Sequence, residues 1–209
     1  MSSANQRKPL NRERILDIAV VMADADGISK LSMRSLAAEL GYEVMSLYNH
    51  VSNKADLLVG MTDRVAAEIP RPESAAPWRQ LVRAHALEMR AAFERHSWAV
   101  PLWVSTIPGP VRFDLMDWEL SVWNNTGLEE QEAHHAFHAV NNHVVGYLLQ
   151  ASMMPQGDEG ERIAIELRDS LDVDQHSHVI SHINQHFDGD HGESFEYVLD
   201  LIIDGIGGG

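Results

Sequence analysis

Residues 32–58 read SMRSLAAELGYEVMSLYNHVSNKADLL, and this stretch decides the fold. Ser32 is a helix N-cap, because its hydroxyl can accept one of the orphan amides of the first turn. Leu36, Ala37 and Leu40 then recur at helical spacing on one face. Gly41 stands where the helix must end in a left-handed residue. Two residues later Val44 opens a short third helix, with Leu47 inward and His50 near its end. Ser52 and Asn53 start a fourth, with Leu57, Leu58 and Met61 apolar. Helix, glycine turn, short helix is the pattern of a helix-turn-helix, whose second helix enters the DNA major groove. Spacing alone fits any small three-helix bundle equally well.

Upstream, Asn11 caps a first helix running to about Ala25. Ile15, Ile18, Ala19, Met22 and Ala25 mark its expected apolar face, and Asp26-Gly27 stops it. Downstream, Pro70, Pro72 and Pro77 fall within residues 68–78 and end the fourth helix. The expected organisation is a head at 1–67, a Pro-rich connection at 68–77 and a second domain at 78–209. In that second domain a helix is expected from Trp78 to His96. Pro101, Pro108, Gly109 and Pro110 then break up a short aromatic-rich segment. Helices follow at about 111–125 and 129–153, then a loop at 155–160 and a short helix near 161–168. A histidine-rich region spans 172–192, and a last helix spans 193–206. No alternating strand pattern and no internal repeat is evident, so the fold class is all-α.

The chain has 209 residues, 44% of them hydrophobic and 22% charged, the balance of a soluble globular protein. It lacks cysteine, which excludes disulfides and thiolate metal sites. With no signal-peptide pattern and no apolar run of membrane-spanning length, a cytoplasmic protein without a membrane partner is expected. The net charge of −15 is unevenly spread. Residues 1–54 hold seven Lys/Arg against six Asp/Glu, whereas the remainder holds nine against 25. Arg7, Lys8, Arg12 and Arg14 give the first residues a basic character suited to a phosphate backbone, or to a merely solubilising arm.

Residues 10–61 resemble the DNA-binding domain of the TetR family of bacterial transcriptional repressors. The shared pattern is the capped second helix, the glycine turn, Leu-Tyr followed by His50, and a Lys opening the fourth helix. The resemblance continues more weakly through Trp78, Thr106-Ile107-Pro108, Gly127, Gly146 and the ending LDLIIDGI, in the order of the tetracycline-repressor branch. It implies that Ser32, Arg34, Tyr48 and Lys54 meet the DNA backbone. Lys54 would add its cation where free helix-terminal amides already favour phosphate. Glu43, Val44, Met45, Ser46, Asn49 and His50 would lie on or beside the reading helix. Asn49 suits adenine and Val44 or Met45 a thymine methyl.

The same resemblance implies a homodimer bound to a palindromic double-stranded operator and released by a small-molecule inducer. His85, Met89, Trp103, Thr106, Met116, Glu119, Trp123, Phe137 and Asn141 are the candidate ligand contacts, although aromatics at helical spacing also suit a plain core. Departures from the tetracycline repressor matter. Pro70 and Trp103 stand where that protein has a ligand histidine and a metal-ligand histidine, while His85 and Glu119 replace an asparagine and a glutamine. These changes disfavour a magnesium–tetracycline complex and favour another aromatic or largely apolar inducer. Val140, Val144 and Leu148 with Phe195, Leu199, Ile202 and Ile206 form the apolar stripes expected to pair two copies, in the family through a four-helix bundle.

No cofactor or resident metal is expected, and two alternatives stay open. His176, His178, His182, His186 and His191 fall close together, three of them at four-residue spacing, which suits metal control. Control by a partner protein is the other. An enzyme is the competitor from another class, but the chain has no Gly-rich phosphate loop, G-x-S-x-G, cysteine nucleophile or HExxH.

Overall fold

The structure, a computed structural model, describes residues 9–72, 75–153, 157–188 and 191–207. Among these the chain is helical and forms no strand. In order come α1 (Arg12–Asp26), α2 (Met33–Leu40), α3 (Val44–Leu47), α4 (Lys54–Ala67), α5 (Trp78–Arg95) and α6 (Ala99–Ser105). Then come α7 (Pro110–Asn124), α8 (Glu130–Met153), α9 (Gly157–Asp169), α10 (Val173–Asp188) and α11 (His191–Gly205). No helix among the described residues is long and apolar enough to cross a membrane.

Local chemistry builds the first helices. Asn11 Oδ1 accepts the Arg14 amide at 2.9 Å and starts α1. Ser32 Oγ accepts the Ser35 amide at 3.0 Å while Ser35 Oγ accepts the Ser32 amide at 2.9 Å, a reciprocal cap that starts α2. Gly41 ends α2 at φ 74°, ψ 32°, and the Tyr42 amide reaches back to the Ala37 carbonyl at 3.0 Å. The buried face of α1 differs from expectation: Ile15, Leu16, Ala19, Val20 and Ala23 are buried, Ile18 and Met22 are half-buried, and Ala25 is exposed. Because α1 packs against both α2 and α4, two neighbours set its buried stripe.

The chain divides into two compact units. The first comprises Met1–Pro72 and Glu88–Glu119, with Ile15, Leu36, Leu57, Met61, Phe93 and Leu115 in its core. The second comprises Glu73–Leu87 and Leu120–Gly209, where α8 packs on α11.

Three expectations need correction. The aromatic segment after His96 is helical, and Pro101 is the third residue of α6. A first-turn proline is tolerated because the amide it lacks has no intrahelical acceptor there. Gly157–Gly160, expected as loop, already belongs to α9. The histidine-rich region is largely the helix α10, kinked at His176 where φ is −124° and ψ 25°.

Candidate nucleic-acid interface and ligand site

The helical part of the reading segment is shorter than expected, ending at Leu47 with Tyr48–His50 in a turn. Leu47 and Val51 are buried and anchor it to the core. Met45 is 73% exposed and Tyr48 42%, and Glu43 and Asn49 are exposed too. Val44, Ser46 and His50 are half-buried. The six expected reading residues and Tyr48 thus share one short stretch. Arg34 is exposed beside them on α2, while the Ser32 hydroxyl is engaged in its cap. Lys54 is exposed, but its Nζ donates to the Leu31 carbonyl at 3.0 Å. That bond ties the start of α4 to the segment before α2. Arg7 and Lys8 lie outside the described residues.

The segment is braced by Asp56, which the sequence did not single out, and by contacts to it from Arg12, Ser52 and Asn53. Arg12 Nη1 and Nη2 donate to Asp56 Oδ2 and Oδ1 at 3.0 and 2.6 Å, and Nη1 also donates to the His50 carbonyl at 3.1 Å. The Ser52 amide donates to Asp56 Oδ2 at 2.7 Å, and Asn53 Oδ1 caps α4 through the Asp56 amide at 2.9 Å. The hydrogen bond from Arg12 holds the Asp56 carboxyl below the usual carboxylate range and raises Arg12 in turn. Asn53 three residues before Asp56 was the local signal of that cap.

A second brace joins α1 and α4 to the α5–α6 turn. His96 Nδ1 lies 2.8 Å from Asp24 Oδ1 and Nε2 lies 3.1 Å from Glu68 Oε2. Trp98 Nε1 also donates to Asp24, at 2.6 Å, and Arg95 donates to Glu68 at 3.1 Å. Burial pushes the Glu68 carboxyl up, but its bonds from Arg95 and His96 prevail and hold it below the usual range.

The nine candidate ligand residues are shared between the units. In the first unit Met89 and Glu119 are buried, Trp103 and Thr106 half-buried and Met116 exposed. Phe93 meets Trp103 edge-on at 5.0 Å, and the Arg112 guanidinium lies 4.3 Å over the Trp103 ring. Arg112 Nη1 also donates to Thr106 Oγ1 at 3.0 Å, so one side chain links two of the candidates. In the second unit His85 and Trp123 are buried, with Trp123 against Trp78 at 5.5 Å. Phe137 and Asn141 are half-buried and joined by the bond from Asn141 Nδ2 to the Phe137 carbonyl at 3.1 Å. A depression of about 730 Å³, lined by Leu120, Trp123, Glu130, Ala133 and His134 among others, takes in Trp123 alone of the nine.

The stripes expected to face a second copy lie largely inside the single chain. Val140, Val144 and Leu148 of α8 and Phe195 and Leu199 of α11 are buried within the chain, and Ile202 and Ile206 are half-buried. His143 stacks on Phe195 at 4.9 Å and its Nε2 lies 2.9 Å from the Phe195 carbonyl. These residues join α8 to α11. The exposed apolar side of α11 is carried instead by Tyr197, Val198 and Leu201, at 66%, 38% and 55% exposure.

His176, His178 and His182 are exposed on α10, while the side chains of His186 and His191 lie outside the described residues. Among the described residues no group of three or more His, Asp or Glu side chains is placed to hold a metal ion.

Comparison with known proteins bears on the whole chain. DrrR1, an HTH-type transcriptional repressor of Streptomyces coeruleorubidus, is 37% identical over 147 residues, 69% of this chain. The match covers 54% of DrrR1, so the chain spans about half the length of that relative. The class D tetracycline repressor protein of Escherichia coli is 28% identical over 144 residues, 68% of this chain and 66% of its own. Among solved structures, Streptomyces coelicolor ActR in complex with actinorhodin matches with a TM-score of 0.81 and 28% identity, over 95% of this chain and 97% of ActR. The family profile for bacterial regulatory proteins of the tetR family matches residues 15–61. That for the tetracyclin repressor-like C-terminal domain matches 70–208. Family profiles for head and body together leave little of the sequence unassigned, and the chain belongs to the TetR family of bacterial regulatory proteins.

Proposed function

We propose that the chain is a ligand-responsive transcriptional repressor. It binds a palindromic operator as a homodimer and is released by a small aromatic or largely apolar inducer. Residues 1–67 act as the DNA-binding domain, and 68–77 connect it to a ligand-binding and dimerisation domain at 78–209. Met45, Tyr48 and Asn49 reach the duplex from the exposed side of the reading segment, with Arg34 on the backbone. The dimer forms through α8 and α11, using the exposed side that carries Tyr197, Val198 and Leu201.

The observation that carries this reading is the full-length likeness to ActR, whose structures hold actinorhodin and (S)-DNPA. The aromatic corner of Phe93, Trp103 and the Arg112 guanidinium suits a flat ligand of that kind. Two half-sites about 34–36 Å apart, one helical turn, are the expected operator geometry. The test is selection of duplexes from a random-sequence pool by the full chain, followed by titration with actinorhodin and other polycyclic aromatics. Palindromic selected sequences, tryptophan quenching by one compound and release of the duplex at matching concentration are expected. Failure to select any duplex refutes the reading.

A further inference from the structure

Asp63 is a carboxylate set among buried residues of α4, between Met61, Thr62 and Val65, and is itself 8% exposed. A buried carboxylate is costly unless it is hydrogen-bonded. Its partners come from another helix. The Val111 and Arg112 amides donate to Asp63 Oδ2 and Oδ1 at 3.2 and 3.3 Å. These are orphan amides of the first turn of α7, so a side chain of α4 caps α7. The approach is also close. A β-carbon on Gly109 would lie 2.3 Å from Asp63 Oδ2 and 2.7 Å from Oδ1. Any side chain there must displace the Asp63 carboxylate or push the start of α7 away from α4.

The same turn of α7 carries Arg112, 6% exposed. Its guanidinium donates to Thr106 Oγ1 at 3.0 Å and to the Trp103 carbonyl at 2.5 Å, closing the end of α6. Burial lowers the Arg112 pKa, and the charge of Asp63 works against that shift. Arg112 Nε is buried without a hydrogen-bond partner. The end of α6, the start of α7 and the middle of α4 therefore meet in one polar joint. It touches two candidate ligand contacts, Trp103 and Thr106, on one side and α4 on the other.

We propose that Asp63 and Arg112 form the joint that passes ligand occupancy at Trp103 and Thr106 to α4, an inference that rests on the repressor reading above. A ligand packed on Trp103 or bonded to Thr106 changes the acceptors around Arg112. Arg112 is continuous with the amides that hold Asp63, so the first turn of α7 moves and draws α4 with it. Both are positioning residues, and neither has to touch ligand or DNA.

The test uses the full chain and a duplex selected from a random pool, and it reads the coupling backwards. Linkage requires that whatever ligand occupancy does to α4, operator binding does in reverse to α6. Amide exchange at the end of α6, including the Thr106 amide on the Leu102 carbonyl, is compared with and without duplex. Exchange there should change about tenfold in the wild type, within the usual range of allosteric coupling, and less than about twofold in Asp63→Asn. That variant keeps an acceptor oxygen and should bind the duplex normally. If Asp63→Asn transmits the full response, the proposal is overturned. Gly109→Ala supplies a second arm that does not depend on that variant folding. It should weaken duplex binding about tenfold, and Asp63→Ala in the same chain should restore it by making room for the methyl group. A double variant no better than Gly109→Ala alone overturns the joint. A wild type that selects no duplex refutes the repressor reading and the joint with it, and it does so before any variant is made.

Discussion

Asp56→Asn probes how the reading segment is held in place. The wild-type carboxylate receives two hydrogen bonds from Arg12, at 3.0 and 2.6 Å, and one from the Ser52 amide at 2.7 Å. Asparagine keeps the shape and one acceptor oxygen but turns an amide group towards a donor. Hydrogen bonds to charged groups contribute about 1.5–3 kcal/mol, whereas exposed ion pairs contribute only about 0.2–1 kcal/mol. The Arg12 side chain is 40% exposed, so its share belongs near the lower range, and the Ser52 bond adds to it. A loss of about 1.5 kcal/mol follows, or about 3–6 °C in melting temperature for a chain of this length. The pH dependence has a definite sign. Arg12 holds the folded Asp56 below its unfolded value of about 3.9, so the contribution is complete above that value and disappears as pH falls through the folded one. Scanning calorimetry should show the full gap between wild type and variant at about pH 7, closing as the pH drops below about 4. A gap that stays constant or widens on acidification refutes the argument. Arg12 also holds the His50 carbonyl, and Asp56 the Ser52 amide. Operator affinity should therefore fall further in the variant than its stability loss explains.

Gly41→Ala forces a β-carbon into the left-handed region and should cost about 1–2 kcal/mol in thermal unfolding. Tyr48→Ala should weaken binding to all duplexes alike, whereas Met45→Ala should relax preference at one base pair, as competition gel shifts on mutated operators would show. Leu201→Glu should yield monomers in sedimentation with the helical circular dichroism intact. Leu199→Ala, in the seam between α8 and α11, should instead destabilise the subunit by about 2–5 kcal/mol.

What the sequence made legible was set by local chemistry. Ser32, Gly41 and Asn53 act on amides and carbonyls within a few residues of themselves, so the starts and ends of α2 and α4 could be read directly. Pro101 misled because a proline's effect depends on its position within a helix whose start was unknown. The face of α1 misled for a different reason. A helix with apolar residues on more than one side shows its periodicity, but its neighbours decide which side is buried. For α11 the neighbour is α8, which takes Phe195 and Leu199 and leaves Tyr197 and Leu201 outside. The pairing of Asp56 with Arg12 and the role of Asp63 were not legible, since those partners lie 44 and 48–49 residues away.

The same distinction bears on how so acidic a chain is to hold a polyanion. Arg12 and Lys54 count as head cations in the sequence, yet both are engaged inside the protein, on Asp56 and on the Leu31 carbonyl. Arg34 remains exposed at the start of α2. Each phosphate neutralised contributes about 0.9 to the slope of log affinity against log salt. In a dimer, Arg34 alone supplies about −1.8, and Lys54 would take the slope to about −3.6 if it left Leu31 for a phosphate. Lys54→Met separates the two cases, because the slope is insensitive to a uniform loss of affinity. A slope unchanged by the substitution shows that Lys54 works as a strut for α4. A slope shallower by about 1.8 shows that it reaches DNA. The bond to Leu31 favours the first outcome, and with it an operator complex whose affinity depends on fit along the reading segment more than on charge.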